Sequence, residues 1–126
     1  MEVKGVQGVK ILVGDDDRVN QLVISGMLKK LGHECHVVGT GRAVVEAVAS
    51  QPFDLIFLDI QLPDIDGFEV VREVQKIPNL ATQPRIAFVS GHDTSDFRVE
   101  LAELGVNHFL TKPITVDALA RVLPSE

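Results

Sequence analysis

The chain has 126 residues, 45% of them hydrophobic and 24% charged, a balance that suits one compact domain able to bury a real core. A net charge of −6, with no Lys/Arg-rich stripe, gives no electrostatic case for nucleic-acid binding. The single cysteine cannot close an internal disulfide, no apolar run approaches the roughly 20 residues of a membrane span, and the opening residues MEVKGVQG lack a signal peptide's apolar stretch, so a cytoplasmic domain without direct membrane contact is expected, alone or as the cytosolic part of something larger.

Residues 1–8 read as a linker or flexible N-terminus, and 9–126 as one domain. VKILVG (9–14) predicts a buried strand, and RVNQLVISGMLKKL (18–31) a helix with Val19, Leu22, Val23, Met27 and Leu31 at helical spacing, stopped by Gly32. ECHVV (34–38) is a mixed strand, RAVVEAVAS (42–50) a short helix and DLIFLD (54–59) a third strand. DGFEVVREVQK (66–76) predicts a helix, with Asp66 and Glu69 in the pattern of a capping box. Strand RIAFVS (85–90), helix TSDFRVELAEL (94–104), strand VNHFLT (106–111) and helix TVDALARVL (115–123) complete the series.

Strands alternating with helices imply right-handed crossovers and a parallel sheet covered on both faces. Strands buried on both faces are almost continuously apolar. The first, third and fourth fit that description, whereas Glu34 and His36 in the second, and Asn107 and His108 in the fifth, suit the edges. The expected fold is therefore α/β, a flavodoxin-like three-layer sandwich with a five-stranded parallel sheet in the order 2-1-3-4-5 and five helices. Ligands of such sheets bind at the carboxyl ends of the strands, where the order switches between strands one and three.

Chemistry-bearing residues gather at those ends. Strand one runs into Asp15, Asp16 and Asp17, strand three ends in Asp59, strand four in Ser90, and strand five leads to Lys112 and Pro113. Crowded carboxylates resist joint ionisation, and a hard divalent cation with oxygen ligands relieves the repulsion. A carboxylate can also act as a nucleophile and form an acyl phosphate. Phosphoryl transfer then needs little beyond alignment and charge stabilisation, for which the cation, Lys112 and the Ser90 hydroxyl serve.

The segments ILVGDDDRVNQ, FDLIFLDIQLPDIDGFEVV, RIAFVSGHD and GVNHFLTKPI resemble the receiver domains of response regulators in order, spacing and residue type, over essentially the whole chain. Asn20 and Gln21 make the likeness strongest to the receivers of hybrid sensor histidine kinases. The resemblance implies a phosphorelay module. Asp59 is then the phosphoacceptor for a histidine kinase or a phosphotransfer histidine. Asp15 and Asp16 are the acidic pair, with Mg²⁺ or Mn²⁺ ligated through Asp16, Asp59 and the backbone carbonyl of Gln61. Ser90 takes the hydroxyl position and Lys112 the lysine position. Ser90 and Phe109 form the switch, Gln61 and His92 tune dephosphorylation, and Lys112–Pro113 is expected to be cis. Readout, or a receiver dimer, is expected on helix four, strand five and helix five.

Gly14 stands where the resemblance would put an aliphatic residue, which suggests a looser turn into the acidic cluster. Taken singly, Asp17 reads best as a helix-terminal acid, Asp64 as a loop residue, and Cys35, between His33 and His36, as a small core residue rather than a metal ligand, because alternate strand residues point to opposite faces. Gly26, within the first helix, suggests close packing. Two rival functions share these features. An aspartyl-phosphate phosphohydrolase of the haloacid dehalogenase type needs a second Asp where Gln61 stands. A pseudo-receiver would lack the phosphoacceptor, the acid or the lysine, and all are present. The expectation is thus a module with no turnover beyond self-phosphorylation and autodephosphorylation, as a stand-alone regulator or, preferably, excised from a hybrid kinase.

Overall fold

The structure, a computed structural model, describes residues 9–78, 80, 83–91 and 97–123. Strands and helices alternate through them: β1 Ile11–Gly14, α1 Arg18–Lys30, β2 Cys35–Val38, α2 Gly41–Ser50, β3 Leu55–Asp59, α3 Gly67–Gln75, β4 Arg85–Ser90, α4 Arg98–Glu103, β5 His108–Thr111 and α5 Val116–Val122. All pairings are parallel, and the order is β2-β1-β3-β4-β5, as the polarity of the strands implies. The expected N-terminal linker and residues 94–96 of the expected fourth helix lie outside the described residues.

Side chains on successive strand residues face opposite ways, so the sheet carries a core on each side. Leu12, Ile56, Leu58 and Phe88 pack with Val44 and Val48 of α2, Val70, Val71 and Val74 of α3 and Leu101 of α4. Ile11, Val13, Leu55, Phe57, Ala87 and Val89 pack with Ile24 and Leu28 of α1 and Leu119 and Val122 of α5. Helices two, three and four thus cover one face, and the first and last helices the other. β1 and β3 are wholly buried, while β2 and β5 are only partly covered, as edges should be.

Helix ends follow local chemistry. Asp17 caps α1 by accepting from the Val19 and Asn20 amides, Thr40 caps α2, Asp66 caps α3 by accepting from the Glu69 amide at 2.9 Å, and Thr115 caps α5. Gly32, at φ 90°, ends α1 as expected, and only glycine takes that conformation without strain.

Three expectations are corrected. On α1 the inward residues are Ile24 and Leu28, with Met27 and Leu31 partly buried beside them, whereas Val19, Leu22 and Val23 are 65%, 59% and 41% exposed. Two apolar stripes share this helix, and contact with α5 and the sheet selects the one containing Ile24. Gly26 is exposed, and a Cβ added there would meet nothing within 4 Å, so no close packing calls for a glycine. Gly14 does not loosen the turn: it is a buried strand residue, and a Cβ there would lie 2.6 Å from Val44 Cγ2, so the valine side chain fills the space.

Candidate active site

The crevice lies at the carboxyl ends of β1, β3, β4 and β5. Asp15 follows β1 directly. Its backbone amide donates to the Val38 carbonyl at 3.1 Å, its own carbonyl accepts from the Gln21 side-chain amide, and its Oδ1 accepts from the Asp17 amide at 2.9 Å. The residue is 1% exposed, and Asp16 beside it is exposed. Asp59 closes β3 at 7% exposure; its Oδ1 accepts from the Gln61 backbone amide at 2.9 Å and its Oδ2 from Lys112 Nζ at 3.1 Å. Lys112 Nζ also lies 3.6 Å from Asp15 Oδ2. The Lys112 backbone amide donates to the Ser90 carbonyl at 2.8 Å, which extends the β4–β5 ladder and brings the ammonium over the acids.

Electrostatics follow from burial and neighbours. Burial pushes the Asp15 carboxyl above its ordinary range, against the opposing pull of the Asp17 amide and the Lys112 charge. Burial also disfavours the Lys112 ammonium, but its hydrogen bond to Asp59 and the charges of Asp59 and Asp15 outweigh that and raise its pKa. Carboxylate oxygens of Asp15, Asp16 and Asp59 all lie within 4.8 Å of one another. Asp15 Oδ2 is buried and, among the described residues, its polar neighbour is the Lys112 ammonium at 3.6 Å, beyond hydrogen-bond length. One ammonium set against three clustered carboxylates leaves negative charge in excess, and an all-oxygen donor set of this kind suits a hard divalent ion. The residues present therefore fit the expected metal.

The expected site residues fall as follows. Asp15, Asp16, Asp59 and Lys112 come together; Ser90, 6% exposed, closes β4 beside them, and Lys112–Pro113 is cis. Gln61 brings its main chain to the crevice while its side chain is exposed. Phe109 is half-buried against the core beneath α4 and is the register partner of Phe88. His92 lies outside the described residues. Asp17 is a helix cap, and His33, Cys35 and His36 form no metal-binding group among the described residues.

Two supporting residues escape sequence reasoning. Gly67 is needed because a Cβ there would stand 2.7 Å from Phe88 Cε1 and 3.0 Å from the Asp59 carbonyl oxygen; the Asp-Gly pair after the LP motif is its only sequence signal. Asp64 is no free loop residue: its carboxylate accepts from the Gly41 and Arg42 amides at 2.8 and 2.9 Å.

Fold and crevice together define a flavodoxin-like domain with, at its topological switch point, a cluster of carboxylates that could hold a cation. The chain belongs to the response regulator receiver domain family, whose model matches residues 11–123. Sensor protein GacS of Pseudomonas syringae pv. syringae is 32% identical over 117 residues, covering 90% of this chain and 13% of that protein. Aerobic respiration control sensor protein ArcB of Escherichia coli K12 is 31% identical over 115 residues, 91% of this chain and 15% of that protein. The chain thus spans only a small part of these relatives. Among solved structures, the receiver domain of sensor histidine kinase PA1611 from Pseudomonas aeruginosa PAO1, with magnesium coordinated in its active-site cleft, superposes with a TM-score of 0.80 at 32% identity, covering 91% of this chain and 93% of that one. A CheY-like receiver domain from Methylobacillus flagellatus gives 0.83 at 25% identity, covering 90% and 94%.

Proposed function

We propose that this receiver domain accepts a phosphoryl group on the Asp59 carboxylate from a phosphohistidine of a kinase or phosphotransfer domain, and that phosphorylation switches its binding to partners. The observation that carries this reading is the pairing of Asp59 with Lys112 at 3.1 Å within a cluster of Asp15, Asp16 and Asp59 oxygens that lie within 4.8 Å of one another. An Asp59 oxygen attacks phosphorus, the phosphorus–nitrogen bond to the donor imidazole breaks, and the imidazole leaves with the electron pair and takes a proton from solvent. The Gln61 amide holds Asp59 Oδ1 and so limits the carboxylate's rotation. Lys112, in contact with Oδ2, offsets the carboxylate charge at rest and stays close to the phosphoryl oxygens as charge moves onto them. Ser90 supplies a hydroxyl donor at the end of the adjacent strand. Asp15, Asp16, Asp59 and the Gln61 carbonyl would hold Mg²⁺ or Mn²⁺, which when bound supplies charge neutralisation at the phosphoryl oxygens.

For the donor's docking surface, the exposed face of α1 offers the best support. Val19, Leu22 and Val23, with Gly26 on the same face, form an apolar stripe that begins beside the acidic crevice. A helix of the donor protein laid on it brings a phosphohistidine toward Asp59. Membership of a hybrid kinase is the reading of the parent protein that the matched relatives favour.

Intact-mass measurement after incubation with acetyl phosphate and Mg²⁺ tests the assignment. The wild type should gain one phosphoryl group, and Asp59→Asn should gain none while keeping its fold, since the amide is nearly isosteric but not a competent nucleophile. Full labelling of that variant would move the site elsewhere, and sustained phosphate release would favour the phosphohydrolase.

A further inference from the structure

We propose, building on that reading, that Asp64 is a positioning residue for the reaction: by tying the loop between β3 and α3 to the first turn of α2, it fixes the Gln61 main chain against Asp59. Both its carboxylate oxygens are engaged, Oδ1 accepting from Gly41 N at 2.8 Å and Oδ2 from Arg42 N at 2.9 Å, across 23 and 22 residues of sequence. Thr40 Oγ1 already takes the Ala43 amide at 3.0 Å, so Asp64 satisfies the first two amides of the helix and Thr40 the third. The seam is tight as well as polar. A Cβ on Gly41 would lie 2.6 Å from Ile65 Cγ1 and 3.0 Å from the Ile65 carbonyl oxygen, so loop backbone sits directly on the helix start.

The loop's other anchors explain why this one matters. At its beginning the Ile60 amide donates to Val89 O of the sheet at 3.2 Å, and at its end the Gly67 amide donates back to Ile60 O at 2.7 Å. Between them lies the segment that carries the Gln61 amide, bonded to Asp59 Oδ1, and the Gln61 carbonyl assigned to the metal. Asp64 and Ile65 hold that segment laterally, Asp64 by charge-assisted hydrogen bonds and Ile65 by packing against the core over α2 and α3. Backbone donors hold the Asp64 carboxyl at about 2, so the anion that makes both bonds is the form present at neutral pH.

A mere helix cap and a positioning residue predict different things. Supporting residues around a metal site typically cost about 10- to 100-fold in affinity when lost. Asp64→Ala should therefore raise the Mg²⁺ dissociation constant about tenfold, shift the Gln61 amide resonance in the metal-free protein, and slow labelling of Asp59 by acetyl phosphate. Asp64→Asn keeps one acceptor oxygen and should fall between. Gly41→Ala, which pushes the loop off α2 from the other side, should reproduce the loss with Asp64 intact. Val48→Ala destabilises α2 from its buried face and should leave both Mg²⁺ affinity and the Gln61 amide unchanged. Should Asp64→Ala not fold, Asp64→Asn and Gly41→Ala carry the test. The proposal is overturned if the Asp64 and Gly41 variants lower the melting temperature as Val48→Ala does while binding Mg²⁺ like the wild type with the Gln61 amide unmoved. Failure of the functional reading is a separate result: the wild type would not label at Asp59, whatever the variants did to Mg²⁺ binding.

Discussion

Two aspartates near the crevice show how environment divides one side-chain type into opposite roles. Asp64 is exposed yet bound by backbone amides, and its carboxyl is held at about 2, below the roughly 3.9 of an unfolded aspartate. A depressed folded-state pKa contributes stability that is present above the unfolded value and is lost as pH falls through the folded one. Melts between pH about 4 and 2 should show the wild type losing stability more steeply than Asp64→Asn, the two curves converging at the acid end; parallel curves would remove Asp64 from the acid response. Asp15 shows the reverse: burial raises its pKa, so its ionised form works against folding at neutral pH. Without metal, Asp15→Asn should be more stable than the wild type by on the order of 1 kcal/mol, the scale typical of relieving a functional site. The wild type should gain about 2.7 kcal/mol when Mg²⁺ reaches a hundred times its dissociation constant, and the variant should lose most of that gain. Thermal melts with and without millimolar Mg²⁺ check both halves, and a variant still fully stabilised by Mg²⁺ would exclude Asp15 from the site. The sequence displays Asp15, Asp16, Asp59 and Lys112 because each stands at a strand end, where the fold rule alone directs attention. It hides Asp64, whose partners lie more than twenty residues upstream on a helix start that no local pattern links to it.

At the scale of elements, α1 shows where periodicity stops informing. Its apolar residues recur at helical spacing on two stripes, and spacing alone does not say which stripe meets the sheet. Packing against α5 settles it in favour of Ile24 and Leu28 and turns Val19, Leu22 and Val23 to solvent. The strands are plainer in the sequence, because parallel pairing buries both faces and leaves a near-continuous apolar run in β1, β3 and the second half of β4. Glycines divide along the same line. Gly14 and Gly67 are small because Val44, Phe88 and the Asp59 backbone occupy the space, relations that are tertiary and so not visible in the local sequence. Gly26 has open space around it in an exposed stretch of helix, where glycine costs about 1 kcal/mol relative to alanine through backbone entropy alone. Gly26→Ala should therefore stabilise the domain by up to about 1 kcal/mol, measurable by urea titration as a higher midpoint at unchanged slope. A lower midpoint would mean that the helix depends on its glycine despite the open space around it.

Across the whole molecule, the crevice and the surface formed by α4, β5 and α5 are joined through the sheet and the core beneath α4. Phe88 and Phe109 are register partners on β4 and β5, Ser90 follows Phe88 by two residues and so shares its face, and Phe109 packs on the same core. Phe68 of α3 meets Phe88 at 5.4 Å between ring centroids and Phe97, the residue just before α4, at the same distance, so aromatic contacts run from β4 to the start of α4. A phosphoryl group on Asp59 brings acceptor oxygens to the end of β3, and Ser90, one strand away, is the hydroxyl placed to answer. We propose that moving Ser90 toward them would open space along the face that Phe109 lines, which the half-buried ring would turn inward to take. Close-packed interiors favour discrete arrangements over gradual ones, so on this proposal a small displacement at Ser90 would become a change of state at Phe109 and in the α4 surface, where Val99 is 69% exposed. A partner that binds one state better then shifts the population toward it. NMR spectra of the free domain and of the phosphorylated or beryllofluoride-bound form should differ at the crevice and also across residues 97–123, with the Phe109 ring resonances moved. Ser90→Ala should keep the crevice changes while shrinking the distant ones. Changes confined to residues 14–17 and 59–66, with the Phe109 ring and the α5 amides unmoved, would show that phosphorylation is not transmitted along this face of the sheet.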